Sequence, residues 1–234
     1  MDLPLLKSNG DFNFILFETG DLSIDTIKSN YDYLLPIYEK YSSKDSVAID
    51  IGAFIGSHSL VMSKLFKKVY TFEPQKYLFY NVCANLYINK ILNVSVFNNA
   101  CYSDFCKMKL NPEKQTHKTG FVGQDFNYWN DSGAACLGLD SDVLGDIEAI
   151  PIDSLNIQDK VNIIKCDAQG SDLQALIGCA ELINKNKPVI IFEYEPILSE
   201  YHNNSFDDYI NFLSQFGYKC SKILEHANDY LCIA

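Results

Sequence analysis

Short, continuous apolar runs alternate with amphipathic stretches along most of the chain after Ser46. The runs end at glycine, proline or polar residues, and the stretches between them carry apolar residues at helical spacing. Continuous apolar strands that alternate with helices are typical of a parallel sheet covered on both faces. The predicted strands are 47–51, 69–72, 94–97, 161–166 and 189–192, and the predicted helices are 57–66, 75–89, 173–183 and 206–216.

The end of the chain follows a different pattern. Two further apolar runs, 218–224 and 230–233, are separated by a polar turn that is too short for a helical crossover. Strands joined in this way pair as an antiparallel hairpin. The sequence therefore predicts a doubly wound α/β domain whose sheet is mostly parallel and carries an antiparallel C-terminal hairpin at its edge.

The beginning of the chain lies outside this alternation. Residues 1–45 are predicted to form an appendage with a strand over 12–17 and a helix over 22–41. Pro36 is expected to kink or break that helix, because proline lacks an amide donor and clashes with the preceding turn. Residues 46–234 form the predicted α/β domain.

One segment inside the domain also departs from the alternation. Residues 101–153 are rich in glycine, asparagine, aspartate and aromatic residues, with only short β-like pieces. A long aperiodic segment in a compact domain is typically a functional insertion. We predict that this insertion determines substrate specificity.

Composition narrows the range of partners. The 234 residues include 19 basic and 30 acidic side chains, which give a formal net charge of −11, and so negative a surface repels nucleic-acid phosphates. The chain has no apolar run of bilayer length, and its first residues lack the basic start and apolar stretch of a secretory signal. We therefore expect a cytoplasmic protein that binds neither nucleic acid nor membrane.

The eight cysteines do not form a CxxC pair, and most of them lie in apolar runs. A reduced cysteine in such a run behaves as a small hydrophobic side chain, and metal ligation needs a spacing that these thiols lack. We expect no metal site and reduced cysteines, among them Cys83, Cys166, Cys179, Cys220 and Cys232.

The strongest local signal is the loop Asp50-Ile51-Gly52-Ala53-Phe54-Ile55-Gly56, between a predicted strand and a predicted helix. Ligands of open α/β sheets bind beyond the carboxyl ends of the strands, where the strand order reverses. Gly52 permits a sharp turn, and Gly56 lets the helix approach. A dinucleotide-binding loop has glycine where this chain has Asp50. A carboxylate aimed into the loop would disfavour a pyrophosphate, and it suits the cationic S-adenosylmethionine better.

Glu73 adds a second constraint on the ligand. It ends the second strand, about twenty residues after the glycines, where a carboxylate can accept hydrogen bonds from both hydroxyls of a ribose. Nicotinamide cofactors also contain ribose, so it is Asp50 that favours S-adenosylmethionine. A nicotinamide-dependent oxidoreductase stays open on fold alone.

Acidic residues at strand ends are the candidate catalytic groups. A hydroxyl that accepts a methyl group is a weak nucleophile, and a base within hydrogen-bond reach assists it. Asp167 follows the fourth strand, and Glu193 or Glu195 follows the fifth. Partial burial is expected to raise the pKa of Asp167 towards a useful range, although a helix-capping role also suits it. Glu193 could hold the acceptor or bond loop amides, and His117, in the insertion, is a third candidate base.

Several motifs occur in a fixed order: the loop 50–56, Phe72-Glu73-Pro74, a helix with Asn81, Asn85 and Asn89, Asn98-Asn99-Ala100, the stretch 151–155, the stretch 167–172, and Glu193. Together they resemble the FkbM-type S-adenosylmethionine-dependent methyltransferases, over residues 46–196. The resemblance implies a class I methyltransferase, Rossmann-like fold with sheet order 3-2-1-4-5-7-6. It also implies methyl transfer to a hydroxyl of a sugar or other small molecule.

The loop and the resemblance together assign the cofactor contacts to Asp50, Gly52, Ala53, Phe54, Gly56, Glu73, Asn99 and Ala100. Three positions depart from the family pattern. Phe54 stands where asparagine is frequent, and Gln169 and Asp172 stand where glutamate is usual, so Gln169 cannot take a carboxylate role.

Two other functions stay open beside the hydroxyl methyltransferase. One is methylation of an amine on a sugar. The other is a non-catalytic binding module of the same fold, although such a module predicts a damaged cofactor loop and this loop is intact.

Overall fold

The protein is described here by a computed structural model that covers residues 5–16, 24–110, 137–138, 147–200, 202–225 and 227–234. The strands are β1 Leu5–Ser8, β2 Asn13–Leu16, β3 Val47–Ile51, β4 Lys68–Phe72, β5 Val94–Phe97, β6 Ala100–Cys101, β7 Cys106–Leu110, β8 Leu137–Gly138, β9 Ile147–Ile150, β10 Val161–Cys166, β11 Val189–Glu193, β12 Lys219–Lys222 and β13 Asp229–Ile233. The helices are α1 Ile24–Asp32, α2 Leu35–Tyr41, α3 Ser57–Leu65, α4 Lys76–Ile88, α5 Asp172–Ile177, α6 Ala180–Asn186, α7 Pro196–Glu200 and α8 Phe206–Ser214, and Ile152–Leu155 forms a 3₁₀ turn.

Seven strands form the central sheet in the order β12-β13-β11-β10-β3-β4-β5. Strands β3, β4, β5, β10 and β11 are parallel, and β13 pairs antiparallel with both β11 and β12. Numbered along this domain, the order is 3-2-1-4-5-7-6, as the family resemblance implies. The predicted doubly wound fold and its antiparallel C-terminal hairpin are confirmed. The strand order reverses between β3 and β10, so a ligand crevice is expected at their carboxyl ends.

Alternate residues of β3 supply two hydrophobic layers, one on each face of the sheet. Val47, Ile49 and Ile51 pack with residues of α5, α6 and α8, whereas Ala48 packs with residues of α3, α4 and the N-terminal segment. Both layers exclude water, which is why β3 is an uninterrupted apolar run apart from Asp50. Asp50 therefore lies on the α3 face.

The N-terminal segment packs on the same layer as α3. Its hairpin, β1 with β2, and its helices, α1 and α2, bury Phe14, Ile27 and Tyr38 in that layer. The break in the predicted helix 22–41 lies before Pro36, which occupies the first turn of α2. A proline is tolerated there because the first amides of a helix have no intrahelical partner.

Side-chain amides of α4 join this hairpin to the domain. The Asn13 amide donates to Asn89 Oδ1 over 2.8 Å, and Asn89 Nδ2 donates back to the Asn13 oxygen. One turn earlier, the Ile15 amide donates to Asn85 Oδ1, while Asn81 Nδ2 donates to the Ile15 oxygen. The three asparagines lie one turn apart on the helix and so satisfy alternate residues of the strand. We call this set the asparagine ladder.

The helix predicted over 173–183 is in fact two helices, α5 and α6. Gly178 separates them, and a Cβ on Gly178 would lie 2.1 Å from the Tyr102 oxygen. Asp153 accepts hydrogen bonds from the amides of Glu181 and Leu182 in the first turn of α6. The close backbone approach and the separate cap explain the break, which the apolar spacing does not reveal.

The described part of the insertion folds as a small second sheet in the order β6-β9-β7-β8. Ala100 of the edge strand β6 pairs in register with Ala149 of β9, and Met108 is buried beside them. His117, the candidate base in this insertion, lies outside the described residues.

The expectation that all the cysteines are reduced is wrong for one pair. Cys220 and Cys232 form a disulfide. The register of the β12–β13 hairpin places the two residues directly opposite each other, a relationship that depends on strand pairing and not on sequence spacing.

Candidate active site

The loop after β3 is anchored on β4 and pressed against the loop after β10. The amides of Gly52 and Ala53 both donate to the Phe72 oxygen over 3.0 Å. Gly52 has φ +76°, and a Cβ on it would lie 1.8 Å from the Asp167 oxygen. Only glycine permits this contact, which brings together the two strand ends at the reversal of the strand order.

The far side of this loop leans on α3 and α4. Gly56 has φ +84° and a Cβ on it would meet the Val82 side chain at 3.1 Å. Asn85 of the asparagine ladder donates to the Ile55 oxygen over 2.9 Å. The Asn85 side chain therefore bonds both the N-terminal hairpin and this loop.

Glu73 is buried beside the loop, and each of its carboxylate oxygens accepts one main-chain hydrogen bond, of which one comes from the loop. The Phe54 amide donates to Oε2 over 2.8 Å, and the Gln75 amide donates to Oε1 over 2.9 Å. Phe54 has φ +55°, a conformation that asparagine adopts more readily than phenylalanine. Burial raises the pKa of Glu73 to about 8, although the two amide donors oppose the change.

Asp50 does not project into the loop, which corrects the expectation from the sequence. Its carboxylate is fully buried, and Ser59 Oγ of α3 donates to its Oδ2 over 2.5 Å. Its Oδ1 has no hydrogen-bond partner among the described residues, but Lys165 Nζ lies 3.8 Å away. Burial raises the pKa of Asp50, in spite of this cation. The negative charge of Asp50 is therefore balanced by the buried ammonium of Lys165.

Lys165 is the site residue that the sequence analysis missed. It lies on β10 opposite Asp50 of β3, and its side chain is 5% exposed. Its ammonium contacts Asp167 Oδ2 at 3.2 Å and the Gly52 oxygen at 3.4 Å. A signal was present in the sequence, since a lysine inside an apolar strand with an acid two residues later is unusual.

Asp167 and Glu193 form a coupled acidic pair. Gln169 Nε2 donates to Asp167 Oδ1 over 2.6 Å and to Glu193 Oε2 over 2.9 Å. Burial alone would raise the pKa of Asp167, but the Lys165 ammonium and hydrogen bonds from Gln169 and Glu193 lower it. The charge of Asp167, and then burial, raise the pKa of Glu193 well above its usual range. The predicted direction for Asp167 is therefore wrong, because the Lys165 cation and the hydrogen bonds together outweigh burial.

The turn that presents Asp167 is held by Asp172. The amide of Ala168 donates to Asp172 Oδ1 over 2.9 Å, and that of Gly170 donates to Oδ2 over 3.0 Å. Gln169 and Gly170 both have positive φ, so the chain here is held in an uncommon conformation. Burial raises the pKa of Asp172 to about 7. Asp172, and not Asp167, is the residue that caps this turn.

The N-terminal segment also reaches the acidic pair. The Tyr33 hydroxyl donates to Asp229 Oδ2 over 2.7 Å, and Asp229 lies opposite Glu193 in the β11–β13 register. Burial raises the pKa of Asp229. Neither residue belongs to a recognisable motif, so no sequence signal indicates that they lie at this site.

The remaining candidates make structural contacts. Asn99 Nδ2 donates to the Glu148 oxygen in the insertion, and Ala100 is buried in the small second sheet. Glu195 Oε2 accepts a hydrogen bond from Asn228. His58 bonds the Tyr38 hydroxyl over 2.9 Å, and burial lowers its pKa to about 3. These contacts leave cofactor binding by Asn99 and Ala100 as a prediction.

A family model for the methyltransferase FkbM domain matches residues 50–220, which include the loop, Glu73, Asp167 and Glu193. The chain belongs to the FkbM methyltransferase family. No curated protein matches this chain.

Two of the solved structures that match illustrate the fold that they share with this member of the FkbM family. The methyltransferase FkbM from Methylobacillus flagellatus KT matches with a TM-score of 0.53 and 19% identity, over 82% of this chain and 44% of that one. SMU.1697c from Streptococcus mutans, solved in complex with SAH, matches with a TM-score of 0.51 and 13% identity, over 88% of this chain and 94% of that one. This chain thus spans less than half the length of the Methylobacillus chain.

The described ranges contain neither a membrane-spanning helix nor a cluster of metal-binding side chains. No helix there is long and apolar enough to cross a membrane. The same residues hold no group of three or more His, Cys, Asp and Glu side chains arranged to bind a metal ion.

Proposed function

We propose that this chain transfers a methyl group from S-adenosylmethionine to a hydroxyl of a sugar or other small hydroxylated metabolite. The observation that carries the proposal is the contact between Gly52 and Asp167. It joins the loop expected to hold the cofactor to the carboxylate expected to receive the acceptor, at the point where the strand order reverses. Membership of the FkbM family supports the methyl-transfer reaction.

The residues present fit S-adenosylmethionine. Each oxygen of Glu73 accepts one described amide hydrogen bond, and a carboxylate oxygen has two lone pairs. Both oxygens therefore keep acceptor capacity for the two ribose hydroxyls. The SAH bound to the Streptococcus mutans protein of the same fold supports the same cofactor class here.

The chain's own residues would orient the acceptor and receive its proton. S-adenosylmethionine supplies a methyl group on an already activated sulfonium. Alignment is then the main requirement, because the leaving group needs no further activation. The Asp167 carboxylate is 32% exposed, so a hydroxyl can donate to it. Lys165 and Gln169 fix its orientation from the buried side.

The coupled pair gives each carboxyl a different role. The pKa of Asp167 is lowered and that of Glu193 is raised, so Asp167 is the ionised member at neutral pH. Asp167 accepts the hydrogen bond of the acceptor hydroxyl, and Glu193 stays protonated beside it. A general base contributes about 10²–10⁴-fold to a rate. Because its pKa is lowered, Asp167 is a weaker base than one that titrates near neutral pH, so its contribution comes mainly from orienting the acceptor hydroxyl.

Calorimetry with SAH and with NAD tests the cofactor. We expect heat of binding with SAH only, and weaker SAH binding by Glu73→Gln. Binding of NAD in place of SAH would overturn the methyltransferase proposal in favour of a nicotinamide-dependent enzyme.

A screen of free sugars, amino sugars and nucleotide-linked sugars with a labelled methyl donor tests the acceptor. We expect label in a hydroxyl. Label on nitrogen would establish the amine methyltransferase instead, and label in none of the compounds, despite SAH binding, would favour the non-catalytic module.

With an acceptor in hand, Asp167→Asn tests the base. This variant should bind SAH as the wild type does and lose about 10²–10⁴-fold in turnover. Unchanged turnover would remove Asp167 from the catalytic role.

A further inference from the structure

Lys165 occupies a position where a charged side chain is costly. It lies on β10, a central strand whose other residues are apolar apart from Asn162, and its neighbours in register are Asp50 of β3 and Ile191 of β11. Removing an ammonium from water costs several kcal/mol unless it is paired and hydrogen-bonded. The contacts of this ammonium therefore indicate what its charge does.

The shortest contacts of Lys165 point to the site and not to the core. Its ammonium lies 3.2 Å from Asp167 Oδ2 and 3.4 Å from the Gly52 oxygen, but 3.8 Å from Asp50 Oδ1. The first two are hydrogen bonds, whereas the third is an ion pair only. A lysine that served only to neutralise Asp50 would place its hydrogen bond there.

Asp167 and Gly52 are the two residues that meet at the reversal of the strand order. Gly52 belongs to the loop that we assign to the cofactor, and Asp167 is the partly exposed carboxylate that we assign to the acceptor. The ammonium of Lys165 donates to the Gly52 oxygen and to Asp167 Oδ2, and Gln169 Nε2 donates to Asp167 Oδ1. The two loops are held in one relative position by two contacts: this bridge, and the close backbone approach of Gly52 to Asp167.

We propose that Lys165 is a positioning residue that ties the Asp167 carboxylate to the Gly52 carbonyl, and so keeps the acceptor-facing acid in register with the cofactor loop. This inference rests on the proposed function for the meaning of the two loops. Lys165 acts through Asp167, since its own side chain is almost completely buried.

Several titratable groups surround this pair and must be considered in any titration. These groups are Asp50 of β3, His58 of α3, Glu73 after β4, Asp172 of α5, Glu193 of β11, Asp229 of β13, and the hydroxyls of Tyr33 and Tyr38. Among the groups that shift the pKa of Asp167, Lys165 is the one that carries a positive charge.

The test is a carboxyl-carbon NMR titration of Asp167, with the resonance assigned from Asp167→Asn. We expect the wild-type midpoint to lie below the ordinary range for aspartate. In Lys165→Met the midpoint should rise by about one to three pH units, the usual effect of an opposite charge at this distance. Lys165→Arg should restore most of the depression.

A matched control is Lys67→Met, which removes an exposed lysine whose ammonium pairs with Asp159. It should leave the Asp167 midpoint unchanged. Because Lys165→Met leaves Asp50 buried without its cation, the double variant Asp50→Asn with Lys165→Met provides a neutral core if the single variant does not fold.

A wild-type Asp167 that titrates at or above the ordinary range overturns the inference without any variant. A depressed midpoint that persists in Lys165→Met, or in the double variant, overturns it as well. The proposed function is judged separately, by SAH calorimetry on the wild type: absence of SAH binding would remove that function, while the titration would still decide whether Lys165 controls Asp167.

Discussion

The main-chain oxygen of Asp167 occupies the space where a side chain on Gly52 would begin: a Cβ there would come within 1.8 Å of it. Gly52→Ala must therefore push the two loops apart, besides placing alanine at φ +76°. We expect a loss of stability greater than the cost of left-handed strain, about 1–2 kcal/mol, and loss of SAH binding by calorimetry.

Gly217→Ala is the matched control for that substitution. Gly217 has φ +86°, but nothing lies within 4 Å of its Cβ position. This variant should show the strain alone and keep SAH binding. Equal effects of the two substitutions would show that the close approach to Asp167 has no importance.

Cofactor affinity should rise with pH through the titration of Glu73. The pKa of Glu73 is raised to about 8 by burial, and only the ionised form offers both oxygens as acceptors to the ribose hydroxyls. The dissociation constant of SAH, measured by calorimetry between pH 6.5 and 8.5, should fall as pH rises. Glu73→Gln should bind SAH more weakly and without this pH dependence, and a flat wild-type profile would contradict the assignment.

Asp172 should make the protein less stable as pH rises. Its folded-state pKa is about 7, against 3.8 in the unfolded chain, so the folded state binds the extra proton between these values. Its contribution is fully favourable below pH 4 and is lost as pH rises through 7. The unfolding free energy from urea denaturation should fall across this window, and less steeply in Asp172→Asn.

Asp208 provides a control of opposite sign. It accepts hydrogen bonds from Ser205 in the capping box of α8, and these lower its pKa. Its contribution is therefore present at neutral pH and is lost as pH falls below 3.8 through its lowered pKa. Asp208→Asn should therefore remove stability at pH 7, and the difference from the wild type should shrink in acid. If both variants change stability in the same direction with pH, the assignment for Asp172 is wrong.

The middle residue of the asparagine ladder should contribute more to stability than its last residue. Asn85→Ala leaves the Ile15 amide and the Ile55 oxygen without their side-chain partner, at a cost of about 1–3 kcal/mol per buried group. Asn89→Ala breaks hydrogen bonds to Asn13 that are exposed to solvent, and should cost about 1 kcal/mol. Chemical denaturation measures both, and SAH affinity should fall only in Asn85→Ala. Similar values for the two variants would show that the connection to the cofactor loop carries little energy.

The sheet could be predicted because each buried strand is a local apolar run. Val161 to Cys166 is recognisable without any knowledge of its neighbours. The break between α5 and α6 at Gly178 could not be predicted, because it depends on the close approach of Tyr102 from another part of the chain. The pairing of Cys220 with Cys232 likewise depends on hairpin register.

At the candidate site, the sequence identified the acids but not their charge states. Burial of Asp167 was foreseen, and burial alone would raise its pKa. Lys165 and the hydrogen bonds from Gln169 and Glu193 together reverse the direction, and Lys165 reaches Asp167 because the pairing of β10 with β3 places it against the loop after β3. Asp50 is a second example. The motif shows that the residue is acidic, but only the packing of β3 shows on which face of the sheet it lies.

The packing of the N-terminal segment has a practical consequence for anyone who wishes to shorten the protein. Truncation at Ser46 would remove Tyr38 from His58, Tyr33 from Asp229, and the strand that satisfies the amides of Asn81 and Asn85. The apolar side of α3 would then face solvent, and a recombinant fragment made in this way should aggregate. The described parts of this segment cover one side of the α/β domain, and expression vectors should retain the first forty-five residues.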